Sequence, residues 1–458
     1  MSLIATLSSA TQALEAQEEA LSVTNNNISN VNTPDYAREI VNLVEADPTD
    51  DNGVSLGNGV DVESVTSVQN QLLNLRIQQQ TSDESSATAQ VNALTEIQTL
   101  FPSSGTSLSS ALTSVFTSLT ALSANPTSAT DRDAVITDAQ TLVQQFNSIS
   151  AGLTNSVPTL NTTVSTDVTS LNSLTAQAAA INQEITQQSS GSQTSATLTS
   201  QLTAVETSIA GLTNIAVTHN SDGTDNITTG NGTPLVLGNQ SFALSTSTNS
   251  SGDTQVLDAS GNNITADISG GDLGGTITVR DTDIPSLLSS LDTFANEFAT
   301  AFNSAQATGY NTSGTAGTAL FNISSTVAGS AASISLATTD PDAIAASSES
   351  ATDNNGNVAN FTALQTTDLS STGASATDQA ANLTYQVGEL TSNATANQTA
   401  ITTSLTSLTD EQSSVSGVSI DEESANLIRY QQAYEAAAKV VTTIESLFDT
   451  TIAMISGT

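Results

Sequence analysis

Few residues of this chain could do chemistry, and the types that are missing narrow the choice. His219 is the only histidine and there is no cysteine, so imidazole–thiol pairs, thiolate zinc sites and disulfides are all excluded. His219 stands in Thr218-His-Asn-Ser-Asp-Gly223, a polar string of turn-forming residues, and reads as a solvated loop histidine rather than a catalytic base. Lys439 is the single lysine, so no glycine-rich phosphate loop with its lysine can be assembled. Calcium is the more serious possibility in an acidic chain. Three strings, Asp47 to Gly53, Asn220 to Gly223 and Asp353 to Gly356, approach a calcium loop. Aligning each glycine with the sharp-turn position puts Pro48, Thr218 and Ala351 at the first ligand and Gly59, Thr229 and Thr362 at the closing glutamate. All three are therefore read as Asx-Gly turns, and no catalytic residue, cofactor or metal site is expected.

The charge balance removes further classes. Among 458 residues there are 45 acidic side chains against five arginines and that one lysine, a formal net charge of -39. Nucleic acid is excluded as a partner, because binding phosphates needs Lys and Arg to displace counterions. The same field repels anionic lipid, and no apolar run is long enough to span a bilayer. The first residues lack the basic start and apolar run of a cleaved secretory signal, so a protein leaving the cell would need a route without cleavage.

The elements that must organise such a chain are helices at its two ends. Leu7, Leu14, Leu21 and Ile28 recur every seven residues, but the companion positions Ala10, Gln17, Thr24 and Val31 make this seam thin and partly polar. At the other end Ile420, Leu427, Tyr434, Val441, Phe448 and Ile455 recur every seven, with Tyr430, Ala437 and Ile444 as companions, a strong seam. Ser419 and Glu422 have capping-box spacing and predict that the last helix starts just after Val418. Only 3% of residues are aromatic and none is Trp, an inventory that suits extended helical packing better than one large globule.

The expected fold class is α+β and multidomain, with both terminal helices paired in a coiled-coil core. Residues 1–38 form the N-terminal helix and its exit, and 39–68 a β-hairpin-like extension. A long helical domain over 69–214 is punctuated by Pro102, Pro126 and the Ser-Ser-Gly at 189–191. A small β domain follows over 215–284, a helix over 285–308, an outer β-leaning domain over 309–372, and C-terminal helices over 373–458 that pair with the N-terminus.

Two strings, one at each end, are diagnostic. Asn25-Asn-Asn-Ile-Ser-Asn-Val-Asn-Thr-Pro-Asp-Tyr-Ala-Arg38 closely resembles the signature shared by flagellar rod, hook and hook-associated proteins, departing from it at Asp35 and Ala37. Leu427-Ile-Arg-Tyr-Gln-Gln-Ala-Tyr434, continuing to Val441 and Phe448, is similar to the last helix of the FlgK family of hook–filament junction proteins, as are Gly232 to Gly238, Gly270 to Gly275 and Asp340 to Ala345 in order. The resemblance implies a structural, non-enzymatic subunit, exported unfolded and uncleaved, secreted to the extracellular flagellum, and self-assembling into a ring. Its implied partners are further copies of itself, the hook protein, the second junction protein FlgL and an export chaperone similar to FlgN. The residues it singles out for assembly are Leu7, Leu14, Leu21, Ile28, Asn30, Asn32, Thr33, Pro34, Tyr36 and Arg38. For assembly and chaperone binding at the other end they are Leu427, Arg429, Tyr430, Tyr434, Lys439, Val441, Ile444, Phe448 and Ile455. A hook or rod protein of the same organelle, or an extracellular calcium-dependent adhesin or enzyme, remain alternatives at this point.

Overall fold

The computed structural model describes residues 3–33, 36–51, 54–102, 104–105, 107–351, 353–369 and 373–456, with backbone alone at 49–51, 54–56, 455 and 456. Helix α1 (Leu3–Ser29) leads into strand β1 (Glu39–Glu45), the hairpin β2 (Thr49–Asp51) and β3 (Val54–Leu56), and strand β4 (Val60–Ser67). Helices α2 (Gln71–Gln98), α3 (Leu108–Ala124), α4 (Ala129–Gln187) and α5 (Gln193–Leu212) follow. Next come β5 (Ile215–His219), β6 (Asp225–Thr229), β7 (Pro234–Leu237), β8 (Gln240–Ser241), β9 (Ser245–Thr248) and β10 (Thr254–Leu257). Helix α6 (Gly271–Thr278) passes through a π-helical turn, Val279–Asp283, into α7 (Ile284–Ala307). Short pieces β11 (Phe321–Asn322), α8 (Ser330–Ser333), β12 (Ser335–Leu336) and α9 (Val358–Ala363) precede the long helices α10 (Ala376–Ser416) and α11 (Ile420–Ser456).

The polar loops start the helices. Asn70, Ser107, Ser128, Ser192 and Ser375 each accept a hydrogen bond from the third helical N–H of α2, α3, α4, α5 and α10, a cap that typically contributes about 1 kcal/mol. Helix α4 continues through Pro158, although a mid-helix proline costs about 3 kcal/mol. Burial of Leu153 and Leu160 on either side of it, in a core shared with α3 and α7, keeps the helix going.

That core holds eight of the ten phenylalanines. Phe294, Phe298 and Phe302, one face of α7, meet Phe146 of α4, Phe116 of α3, Phe321 and Phe361 with ring centroids 4.6 to 6.5 Å apart. The scarce aromatics are thus concentrated in one core. Residues 309–372, read as β-leaning, carry only two-residue strands among their described residues, and they place Leu320, Ile344 and Phe361 in this same core. A second core joins α4 and α5 to the four-stranded antiparallel sheet β5-β6-β7-β8 and to α6. Residues 215–284 therefore bury Ile227, Val236 and Val256 against the helices, as a segment too short to enclose its own core must.

Two long helices connect these bodies to the chain ends. Helix α10 runs antiparallel to α2, tied by Gln412 to Asn74, Gln80 to the Ile401 carbonyl and Gln398 to Thr88. Near the ends, β1 pairs antiparallel with β4, and β2 with β3. Residues 39–68, expected as a hairpin-like extension, thus form two nested antiparallel pairs. This ribbon lies against α1 at Gly59, whose φ of +101° and 2.9 Å of room to Ser9 Oγ leave no place for a side chain.

Candidate functional site

The two chain ends meet where α1 leaves for β1 and α10 turns into α11. Helix α1 stops after Ser29, and Asn30 folds its amide back onto the Asn26 carbonyl at 3.0 Å and the Asn26 side chain at 2.8 Å. Thr33 then donates to Asn30 Oδ1 at 3.2 Å. Asn32 is exposed, and Pro34 lies outside the described residues.

The centre of the exit is a residue absent from the expected set. Asn27, 1% exposed, donates to the Glu39 carbonyl at 2.9 Å and accepts from the Glu39 N–H at 2.9 Å, so its amide pairs with the first residue of β1 as a neighbouring strand would. Its Oδ1 also accepts from the Tyr36 hydroxyl at 2.9 Å. Burial first, then the carboxylates of Glu39 and Glu423, push the Tyr36 hydroxyl far above the usual tyrosine range, so it stays a neutral donor. Glu39, buried, accepts from Asn26 at 3.1 Å and from Thr197 of α5 at 2.7 Å. Three backbone elements are thereby held together by side-chain amides and one carboxylate. The sequence signal for Asn27 is its place inside the Asn25-Asn-Asn27 run, but no spacing rule marks which asparagine is buried.

Arg38 carries the exit to the other chain end. Its N–H donates to the Ser416 carbonyl at 2.8 Å, its carbonyl accepts from Val68, and its guanidinium reaches Glu422 at 2.6 Å. Both side chains of that pair are substantially exposed, so it is worth at most about 1 kcal/mol. The expected capping box at Ser419 is half formed: the Glu422 N–H reaches Ser419 Oγ at 3.4 Å, while the Glu422 carboxylate serves Arg38.

From this joint α11 runs back along α1. Of the two seams, the thin one on α1 is the more deeply covered. Helix α1 buries Ala10, Ala16, Ala20, Val23, Thr24 and Asn27, a stripe of mostly small residues, while Leu7, Leu14, Leu21 and Ile28 are half-buried beside it. The reason is its neighbours: α1 packs on α11, β1 and β4, and Val23 meets Val41, Val65 and Ala196. On α11 Ile444 is buried, Leu427, Tyr430, Val441 and Phe448 are half-buried, and Tyr434, Arg429 and Lys439 are exposed. Arg429 stacks over the Tyr430 ring at 5.0 Å. The side chain of Ile455 lies outside the described residues. A second stripe, also at heptad spacing, was not singled out: Val440, Leu447 and Met454 are 44%, 48% and 72% exposed.

Elsewhere the candidate chemistry takes other roles. Gly53-Val-Ser-Leu-Gly57 has the spacing of a nucleophile elbow, but Ser55 lies in β3, paired with Asp50 in a two-stranded ribbon, not at a strand-to-helix turn. The Asn220–Gly223 string is a hairpin turn with Gly223 at φ +84°, and Thr224 holds the Asp222 carboxyl below its usual range. Gly356 has no positive φ; a side chain there would collide with Ser348. Residues 52 and 53 of the first string lie outside the described residues. Among the described residues, no group of three or more His, Asp or Glu is arranged to hold a metal ion, and no helix is long and apolar enough to cross a membrane. His219, expected in a loop, closes β5 and lies 2.6 Å from Asp225. Arginines are used as staples: Arg132, 1% exposed, donates to the Pro126 and Ile344 carbonyls at 2.8 and 2.7 Å, and Arg280 to the Thr254 carbonyl and Asn161.

Three family models match this arrangement in order. Residues 7–36 match the flagella basal body rod protein, 412–454 the C-terminal region of the flagellar basal body rod FlgEFG protein, and 94–321 the flagellar hook-associated protein FlgK helical domain. The chain belongs to the flagellar hook-associated protein family. Flagellar hook-associated protein 1 of Salmonella typhimurium is 27% identical over 540 residues, covering 96% of this chain and 98% of its own. The protein of that name from Bacillus subtilis is 28% identical over 492 residues, with 97% of each chain covered. The structure of the flagellar hook junction protein FlgK from Burkholderia pseudomallei shares the fold, with a TM-score of 0.65, 16% identity, and coverage of 75% of this chain and 100% of that one. Family membership makes this chain a structural protein of the flagellar hook–filament junction.

Proposed function

We propose that the chain works as a non-enzymatic coupling ring, in which terminal helices of successive subunits pack together between the hook protein on one side and the second junction protein, FlgL, on the other. The observation that carries this reading is α11. It has apolar side chains around more of its circumference than α1 covers: besides the seam with α1, Val440, Leu447, Ile452 and Met454 stand in solvent. A stripe of this kind is an association surface or an aggregation hazard. Before assembly the same stripe suits an export chaperone similar to FlgN, and uncleaved passage through the flagellar export apparatus to the cell exterior is consistent with the family.

The test is a chain ending at Glu435, expressed in a strain lacking the gene. It keeps both cores and loses the exposed stripes, so it should be soluble and folded by circular dichroism while cells carry hooks without filaments and swim no better than the deletion. Normal motility with that truncated chain would rule the reading out. Replacing Leu447 and Met454 together by Glu in the full chain separates the two uses of α11, because subunit joining and chaperone capture can be measured independently.

A further inference from the structure

The one histidine stands over a buried pair of carboxyl groups. Glu206 of α5 is 1% exposed and Asp225, first residue of β6, is 5% exposed. The Gln78 amide of α2 donates to Glu206 Oε2 at 3.0 Å. His219 Nδ1 lies 2.6 Å from Asp225 Oδ1. Asn182 of α4 clamps the Asp225 backbone, donating to its carbonyl at 2.7 Å and accepting from its N–H at 3.0 Å, which fixes the main chain that carries the carboxyl. Glu206 and Asp225 line the same small cavity as His219, and Glu206 Oε1 is buried with no hydrogen-bond partner. Two carboxyls buried this close to one cavity are both acceptors when ionised, and a proton on one of them relieves the repulsion and gives the pair a donor.

Among the described residues, no Lys or Arg lines the cavity beside them. The adjoining cavity, about 110 Å³, is walled by amides and hydroxyls such as Gln69, Asn74 and Thr203, and its ionisable groups are Glu206, Asp225 and His219. Arg76 of α2, Glu184 of α4 and Asp61 and Glu63 of β4 are exposed. Asp83 of α2 accepts from Gln79, and Glu39 of β1 is bonded to Asn26 and Thr197. Asp222 is on the β5–β6 turn in solvent, and Asp272 of α6 acts on Asp167.

We propose that Glu206 is protonated at neutral pH and donates to Asp225, which also accepts from His219, and that this proton fastens the β5–β6 hairpin to α2 and α5, so that the joint tightens as pH falls. Burial first, and then the Asp225 carboxylate, hold the Glu206 carboxyl well above its ordinary range. A carboxyl raised in the fold contributes stability that is complete below its unfolded pKa and is lost as pH rises through the folded value.

Amide hydrogen exchange of the full chain between about pH 5 and 8 tests this, with rates corrected for intrinsic exchange. Protection of the β5 and β6 amides should fall with rising pH by up to about tenfold per unit, the limit for one linked proton. Glu206→Gln should lose that slope, because its amide donates to Asp225 at every pH while its carbonyl still accepts from Gln78. His219→Gln should keep it. An unchanged slope in Glu206→Gln overturns the proposal, as does loss in His219→Gln alone, which would place the switch on the imidazole. Protection raised by millimolar calcium chloride at neutral pH, in the unaltered chain and not in Glu206→Gln, would show a cation in place of the proton and overturn it too. If Glu206→Gln fails to fold, Asp225→Asn reads the same contact from the other side: its amide can donate to ionised Glu206, so the slope should again flatten, and persistence of the slope overturns the proposal.

Discussion

The phenylalanine core around α7 and the α1–α11 pair are both assembled from amphipathic helices, and they end in opposite states. Around α7 the stripe Leu287, Leu291, Phe294, Phe298 and Phe302 is fully enclosed, because α3, α4, α10 and the 309–372 segment close over it. On α11 a comparable stripe has α1 on one side, and Ile444 is its buried apolar residue. Both stripes follow helical spacing. A stripe states that burial is wanted, and the number of neighbours decides whether one chain can provide it.

The largest expected effect is inside the enclosed core. Phe298→Ala removes a ring packed against Phe116, Phe294, Phe302 and Phe321 and should cost about 3–5 kcal/mol in chemical denaturation; a cost no larger than that of a surface change would show the core to be loosely packed. Asn27→Ala is next, since it leaves the Glu39 N–H and carbonyl and the Tyr36 hydroxyl unpaired, for a loss of about 1–3 kcal/mol. Its signature should be local, with faster amide exchange at Tyr36 to Glu39 while the phenylalanine core stays protected.

A subtler effect belongs to Asp167, on the side of the second core. Burial, and then Asp272, raise its carboxyl to about 6. The folded value lies above the unfolded one, so the stabilising contribution is complete below the ordinary carboxyl range and is lost as pH rises through about 6. Asp167→Asn should flatten the fall of Tm across that window by about 2–4 °C, and an unchanged Tm profile would remove Asp167 from the account. Smallest of all are changes on the terminal pair. Glu422→Gln breaks the exposed contact to Arg38 and should shift stability by less than about 1 kcal/mol. Leu447→Ala should leave the isolated chain within about 0.5 kcal/mol of the parent while weakening filament attachment, which motility measures directly.

Much of the chain was readable from the sequence. The helical stripes at Leu108 to Leu122 and Leu287 to Phe302 sit in the core, and the last helix starts at Ile420, directly after its Ser419 cap. Such features are local: 3.6-residue periodicity and a capping side chain act within a few turns. The asparagine-rich exit was readable as a motif, but the exchange that holds it, between Asn27 and Glu39, spans residues whose pairing depends on α5 bringing Thr197 to the same carboxylate. Equally hidden were the covering of α1 by small residues, and the merging of 215–284 and 309–372 with the helical cores, because short polar blocks look self-contained until a distant helix supplies their missing apolar partners.

By itself, then, the amino-acid sequence determined where helices begin and end, which chemistry is impossible without cysteine and with one histidine, and which family the two ends belong to, since these depend on residue types at short range. Only the tertiary structure decided which stripe is enclosed and which is left exposed, which asparagine is buried, and that Glu206, Asp225 and His219 line one cavity. Those outcomes rest on contacts between residues far apart in the chain, where burial and the absence of a compensating charge, not local spacing, set the energy.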